Sequence, residues 1–228
     1  MMRTQLEFYM DEIAGKLERL FELALHAFMQ SMQAFEDLDA ELASKVRDIS
    51  DDVEELANKV EDSVFETIAR RQPVASDLRR LSTYHIVSYN LYRVGRYAYK
   101  IAHIVDLAQG LEHYKELESL PYLAGLAKQT LGIAMKALLE NDLSDIDELE
   151  KLEAESDRET EEMFEEITEF LRKRTDITQM SMFYVVVGRY CERAADQAFA
   201  IAERAIYAVT GKKKKLGLAY KREDAGLH

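Results

Sequence analysis

Apolar residues recur at helical spacing along almost the whole chain. Over residues 4–35, Leu6, Ile13, Leu17, Leu20, Leu25, Phe28 and Met32 fall near one stripe. Over 39–70, Leu42, Val46, Ile49, Val53, Leu56, Val60 and Val64 alternate three- and four-residue steps, with acids between them. Asp37 or Asp39 can cap the start of that helix. Pro73 then breaks the chain, and Ser76 and Asp77 suit the start of a third helix over 74–108, ending near Gly110. Pro121 sits near the start of a fourth helix, 118–140, followed by the turn "END". Ile146, Leu149, Leu152, Met163, Phe164, Ile167 and Leu171 mark a fifth over 143–173. Thr175 and Asp176 can cap a sixth, 177–210, which stops at Gly211. The β-like run "FYVVVG" lies inside that last helical pattern.

Six long helices on short connections predict an all-α protein of antiparallel bundles. The pattern also repeats. "YRVGRYAYKIAH" at 92–103 aligns with "ERAADQAFAIAE" at 192–203, an offset of 100. Asp48 and Asp52 align with Glu153 and Asp157 at an offset of 105. The expected architecture is two tandem three-helix bundles related by a pseudo-twofold repeat, covering 1–112 and 113–211, with a basic, mobile tail over 212–228.

Composition narrows the functional classes. The 228 residues hold only 2 prolines, 9 glycines and no tryptophan, as long helices require. The net charge of −13 argues against a nucleic-acid partner, which needs a clustered positive surface. The lone Cys191 excludes an internal disulfide framework and fits a reducing compartment. Neither a secretory leader nor an apolar run of membrane-spanning length is evident, so the expectation is a cytoplasmic protein.

The chemistry lies in carboxylates spaced four apart, hence on one helix face. "EAESD" carries Glu153 and Asp157, and "ERAAD" carries Glu192 and Asp196 beside small alanines. Four such groups on facing helices repel one another, and a bound hard cation would remove the penalty. Magnesium, calcium, manganese, iron or zinc are the chemical candidates. The same spacing also arises on solvated faces in a chain with 43 acids; "ETEEMFEE" is such a face. No Glu-x-x-His precedes His26, His85, His103 or His113, which disfavours di-iron redox chemistry. A nucleophilic triad and a glycine-rich phosphate loop are also lacking, and the protein is expected not to be an enzyme.

"RQPVASDLR" at 71–79, followed by "YRVGRYAYKIA" and "ERAADQAFAIAE", resembles the PhoU-like phosphate-uptake regulator family over about residues 5–210. The resemblance implies two three-helix bundles and metal sites, often iron, built by acidic motifs on two helices of each repeat. It implies a regulator of phosphate uptake and phosphate-responsive signalling. Such a protein binds a phosphate ABC transporter or a sensor histidine kinase and meets the membrane only through those partners. Carried onto this sequence, the second-half metal ligands are Glu153, Asp157, Glu192 and Asp196, with Glu203 a weaker addition. The first half departs from the pattern: Asp48 and Asp52 remain, but Tyr92 and Arg96 stand where acids are expected. Arginine cannot ligate a cation, so this degenerate site is expected to lack metal, with Arg96 pairing Asp48 or Asp52 in its place.

Two other readings stay open. The same carboxylates could serve a metal-dependent hydrolase or a metal store, or the protein could be a transporter-associated scaffold unrelated to phosphate. Arg70, Arg71, Arg79 and Arg80 are a candidate partner surface, a subset of the tyrosines a candidate homodimer interface, and Cys191 reads as a buried small residue.

Overall fold

The computed structural model describes residues 5–217. Among them the chain forms six helices: α1 Gln5–Asp37, α2 Ala40–Arg71, α3 Ala75–Leu107, α4 Ser119–Leu139, α5 Glu148–Lys173 and α6 Thr178–Thr210. The all-α expectation holds.

Local signals explain most boundaries. Asp39 caps α2, its carboxylate accepting from the Glu41 and Leu42 N–H groups at 2.9 and 3.0 Å. Gly211 ends α6 in the left-handed region, φ +73°, where a Cβ would be strained. The caps expected for α6 are not used. Ile177 occupies the N-cap position of α6 without a side-chain bond, so Thr175 and Asp176 do not cap it, while α3 opens at Ala75 with Ser76 and Asp77 in its first turn, as expected. Helix α5 starts later than its apolar spacing suggests. Asp142 accepts the Ser144 N–H, Lys136 ties Asp142 and Asp145 together, and i→i+3 turns carry the chain to Glu148.

Helices α1, α2 and α3 pack on one another, while in the second half α4 packs most extensively on α6. Contacts of α3 with α6, and fewer of α1 with α4, join the halves. Helix α5 is the least embedded; only Leu149, Leu152, Ser156, Met163 and Ile167 are buried along it. His113, in the segment between α3 and α4, links the halves. Its Nε2 lies 2.9 Å from the Phe35 carbonyl and its Nδ1 2.9 Å from the Tyr184 hydroxyl. A carbonyl only accepts, so Nε2 carries the proton and Nδ1 accepts from Tyr184.

Two glycines mark close helix approaches. A Cβ on Gly95 would lie 2.7 Å from Val53 Cγ1, a stiff β-branched side chain across the α2–α3 contact. On Gly188 it would meet the Met163 methyl at 2.7 Å, the flexible end of its chain. Gly95→Ala is therefore expected to cost about 1–3 kcal/mol by overpacking, and Gly188→Ala less. Urea denaturation of the two variants checks the order; equal losses would contradict it.

Candidate functional site

Helices α4, α5 and α6 enclose a cavity of about 370 Å³. From α5 come Glu153, Ser156, Asp157, Thr160 and Glu161; from α6 come Glu192 and Asp196. The helical repeat sets this out: Glu153 and Asp157 lie one turn apart on α5, beside the buried Leu152 and Ser156, and Glu192 and Asp196 lie one turn apart on α6. The structure thus brings the four expected carboxylates around one space.

Their electrostatics are unfavourable. Desolvation pushes the Glu153 carboxyl above its usual range, reinforced by Asp157 and Asp196. Desolvation also raises Asp157, with Glu192 and Glu161 adding to it. Asp196 is raised by desolvation and Glu192, partly countered by Arg189 and Arg193. Among the described residues, no ion pair is formed by Glu153, Asp157 or Asp196, and Glu192 pairs with Arg189. Thr160, lining the same cavity, has a buried hydroxyl without a hydrogen-bond partner among the described residues. Four hard oxygen donors and an orphaned hydroxyl are suited to a hard cation. Among the described residues, no three His, Cys, Asp or Glu side chains converge on one point. Holding an ion therefore requires the carboxylates to swing together, and their mutual repulsion opposes this when no positive charge lies between them.

Glu203 stands apart from this group. Its Oε1 accepts the Leu216 N–H at 3.0 Å and its Oε2 lies 3.4 Å from Lys215 Nζ. It holds the chain beyond α6 and does not line the cavity. Of the tail expected over 212–228, Lys212–Lys215 are exposed and Leu216 is anchored, only 7% exposed; the residues beyond 217 lie outside the described residues.

In the first half the expected residues do not meet as predicted. Arg96 lies 3.9 Å from Asp51 and stacks 4.4 Å from the Tyr99 ring centre; its ion pair is not with Asp48 or Asp52. The cause is the register of the repeat. Buried Ala43, Val46, Ser50 and Ala57 on α2 match buried Leu149, Leu152, Ser156 and Met163 on α5, each pair 106 residues apart. The counterparts of Glu153 and Asp157 are then Arg47 and Asp51. Asp48 is two positions from both Val46 and Ser50, about 200° around the helix from that buried stripe, and Asp48, Asp51 and Asp52 are all exposed. With Tyr92 and Arg96 opposite Glu192 and Asp196, the first-half equivalent is Arg47, Asp51, Tyr92 and Arg96. Two guanidiniums occupy positions where the second half has carboxylates, and Arg47 pairs with Asp106. Acid spacing alone did not disclose this; the buried stripes, with Ser50 matching Ser156, do.

The PhoU domain family matches this chain twice, over residues 17–105 and 120–205. A phosphate-specific transport system accessory protein PhoU homologue of Thermotoga maritima is 25% identical over 204 residues, covering 89% of this chain and 88% of its own. One from Pseudomonas aeruginosa is 25% identical over 196 residues, covering 85% and 81%. The crystal structure of PhoU from Pseudomonas aeruginosa superposes with a TM-score of 0.85 at 23% identity, covering 91% of this chain and 100% of that one. The phosphate transport system regulatory protein PhoU from Streptococcus pneumoniae gives 0.83 at 21% identity, covering 93% and 100%. At these identities the solved structures speak for the fold.

Proposed function

Because the chain belongs to the PhoU domain family, we propose that it regulates phosphate uptake and phosphate-responsive signalling by binding, without catalysis of its own. Its partners in this reading are a cytoplasmic subunit of a phosphate ABC transporter or a sensor histidine kinase. The observation that carries the reading is the family match over both halves, together with relatives named as accessory proteins of phosphate-specific transport systems. Among the described residues, no helix is long and apolar enough to cross a membrane. Contact with a transporter would then run through protein surfaces.

The carboxylate cavity serves this reading as a structural metal centre. Glu153 and Asp157 on α5 and Glu192 and Asp196 on α6 would hold a hard cation such as iron, manganese or magnesium. The ion would supply the positive charge those groups lack. Its mechanical consequence falls on α5, the helix with the smallest buried face: four ligands split between α5 and α6 fasten it to the bundle. The first half needs no ion for the equivalent contact, since Arg96 faces Asp51 across α3 and α2.

The test is genetic and quantitative. Cells lacking the gene are expected to take up phosphate or express phosphate-starvation genes abnormally when phosphate is plentiful, and the wild-type gene should restore control. Uptake and expression indistinguishable from the parent strain under both high and low phosphate would refute the regulatory role.

A further inference from the structure

The segment after α6 follows a definite path. The Lys212 N–H donates to the Thr210 hydroxyl at 3.1 Å, and the Lys213 ammonium lies 5.8 Å from the Tyr207 ring centre. Lys214 reaches Asp147, 4.0 Å away, and Lys215 reaches Glu203. Leu216 joins the hydrophobic core while its N–H is held by Glu203. Gly217 then lines the carboxylate cavity. It sits at φ +67°, and a Cβ there would lie 3.0 Å from Glu153 Oε1. Its backbone therefore approaches a cavity carboxylate closely, in a conformation that favours glycine. The lysines stay exposed, but the segment that carries them is held against the bundle at Leu216 and reaches the acidic cavity at Gly217.

We propose that residues 212–217 form a strap that narrows access to the carboxylate cavity by bringing the Gly217 backbone against Glu153, and that Glu203 and Leu216 are the positioning residues that seat it. Glu203 acts through the chain it holds, with both of its oxygens engaged by the strap. Leu216 supplies the apolar anchor, and Gly217 lets the backbone come against Glu153. The strap controls how fast small species enter and leave the cavity. Its bearing on cation exchange rests on the reading of the cavity as a cation site; its action as a cover does not.

The experiment uses the full chain carrying Ser156→Cys as a reporter on the cavity wall. Native Cys191 is fully buried and serves as the unreactive reference. A thiol reagent bearing a quaternary ammonium group measures access. Adding Glu203→Ala or Leu216→Asp is expected to raise the labelling rate of Cys at 156 about tenfold, the scale of one lost hydrogen bond to a charged group. Brief trypsin digestion after Lys212–Lys215 should quicken in the same variants. Unchanged labelling with faster cleavage overturns the proposal, because the strap is then released without opening the cavity. Cleavage as fast in the parent as in the variants also overturns it, because the strap is then not held. In a parallel arm, release of Mn²⁺ to a chelator should be faster in both variants. A parent protein that binds no Mn²⁺ retires the cation reading while the labelling result still judges the strap.

Discussion

Glu153→Gln combined with Asp157→Asn is expected to weaken Mn²⁺ binding more than about 100-fold, well beyond the loss usual for an outer-shell change, and at the same time to make the metal-free protein melt higher. The two effects have one cause. Glu153 and Asp157 are both held above their usual range, first by desolvation and then by neighbouring carboxylates. A carboxyl whose folded pKa exceeds its unfolded value binds more protons folded than unfolded, so its contribution to stability falls as pH rises. The penalty is absent below the ordinary values of 3.8 for Asp and 4.5 for Glu, grows as pH rises towards the raised folded values, and is complete only above them. Neutral amides remove it. Because both groups are partly exposed, the relief is at most about 1 kcal/mol each after solvent screening. For a chain of this size, about 1 kcal/mol corresponds to about 2–4 °C. The gain over the parent should be seen at pH 7 and vanish near pH 4. Calorimetric melts of the metal-free proteins across that range check it; a variant that melts lower than the parent at pH 7 would mean the carboxylates are stabilising as they stand.

A second large effect is expected in the other half. Arg47→Glu, Tyr92→Glu and Arg96→Asp, made together, place three acids beside Asp51 at the positions matching Glu153, Glu192 and Asp196. The variant should bind about twice as much Mn²⁺ per chain as the parent, since the donor set then matches a hard-cation site. Without metal it should be less stable. It loses the Arg96–Asp51 pair, leaves Asp106 without Arg47, and gains like-charge repulsion. Added metal should recover the loss by mass action. Equilibrium dialysis followed by elemental analysis measures the stoichiometry. An unchanged ratio would mean that the matched register does not place these positions around a common space.

The sequence carried the helices well because their signals are local. The stripe Val46, Val53, Val60 and Val64, the cap at Asp39 and the stop at Gly211 each act within a turn or two of chain. Helix α5 began late because a turn made by Asp142, Ser144 and Lys136 competes with an apolar spacing that would permit an earlier start. The second-half carboxylates were picked out by the repeat and by the resemblance of "ERAADQAFAIAE" to the family motif, since acid spacing alone fits a solvated face equally well in so acidic a chain. The first-half register was not. In so acidic a chain a one-residue slip still finds acids, and Asp48 and Asp52 satisfied the spacing while facing outward. Deciding between offsets requires knowing which residues are buried, and Ser50, polar yet buried with its hydroxyl on the Gly95 carbonyl, reads on a hydropathy pattern as surface. The strap was hidden for a similar reason: four lysines outweigh one leucine in composition, although Leu216 decides where the segment lies.

The molecule is therefore asymmetric about its repeat. One half sets Arg96 against Asp51 and Arg47 against Asp106, and the other places four carboxylates around one cavity, the site proposed above for a cation. Calorimetric titration of Mn²⁺ into the full chain tests that asymmetry most directly. The parent should show saturable binding that is lost on Glu192→Gln with Asp196→Asn and unchanged on Asp51→Asn. Binding that survives the first change, or disappears with the second, would contradict the account.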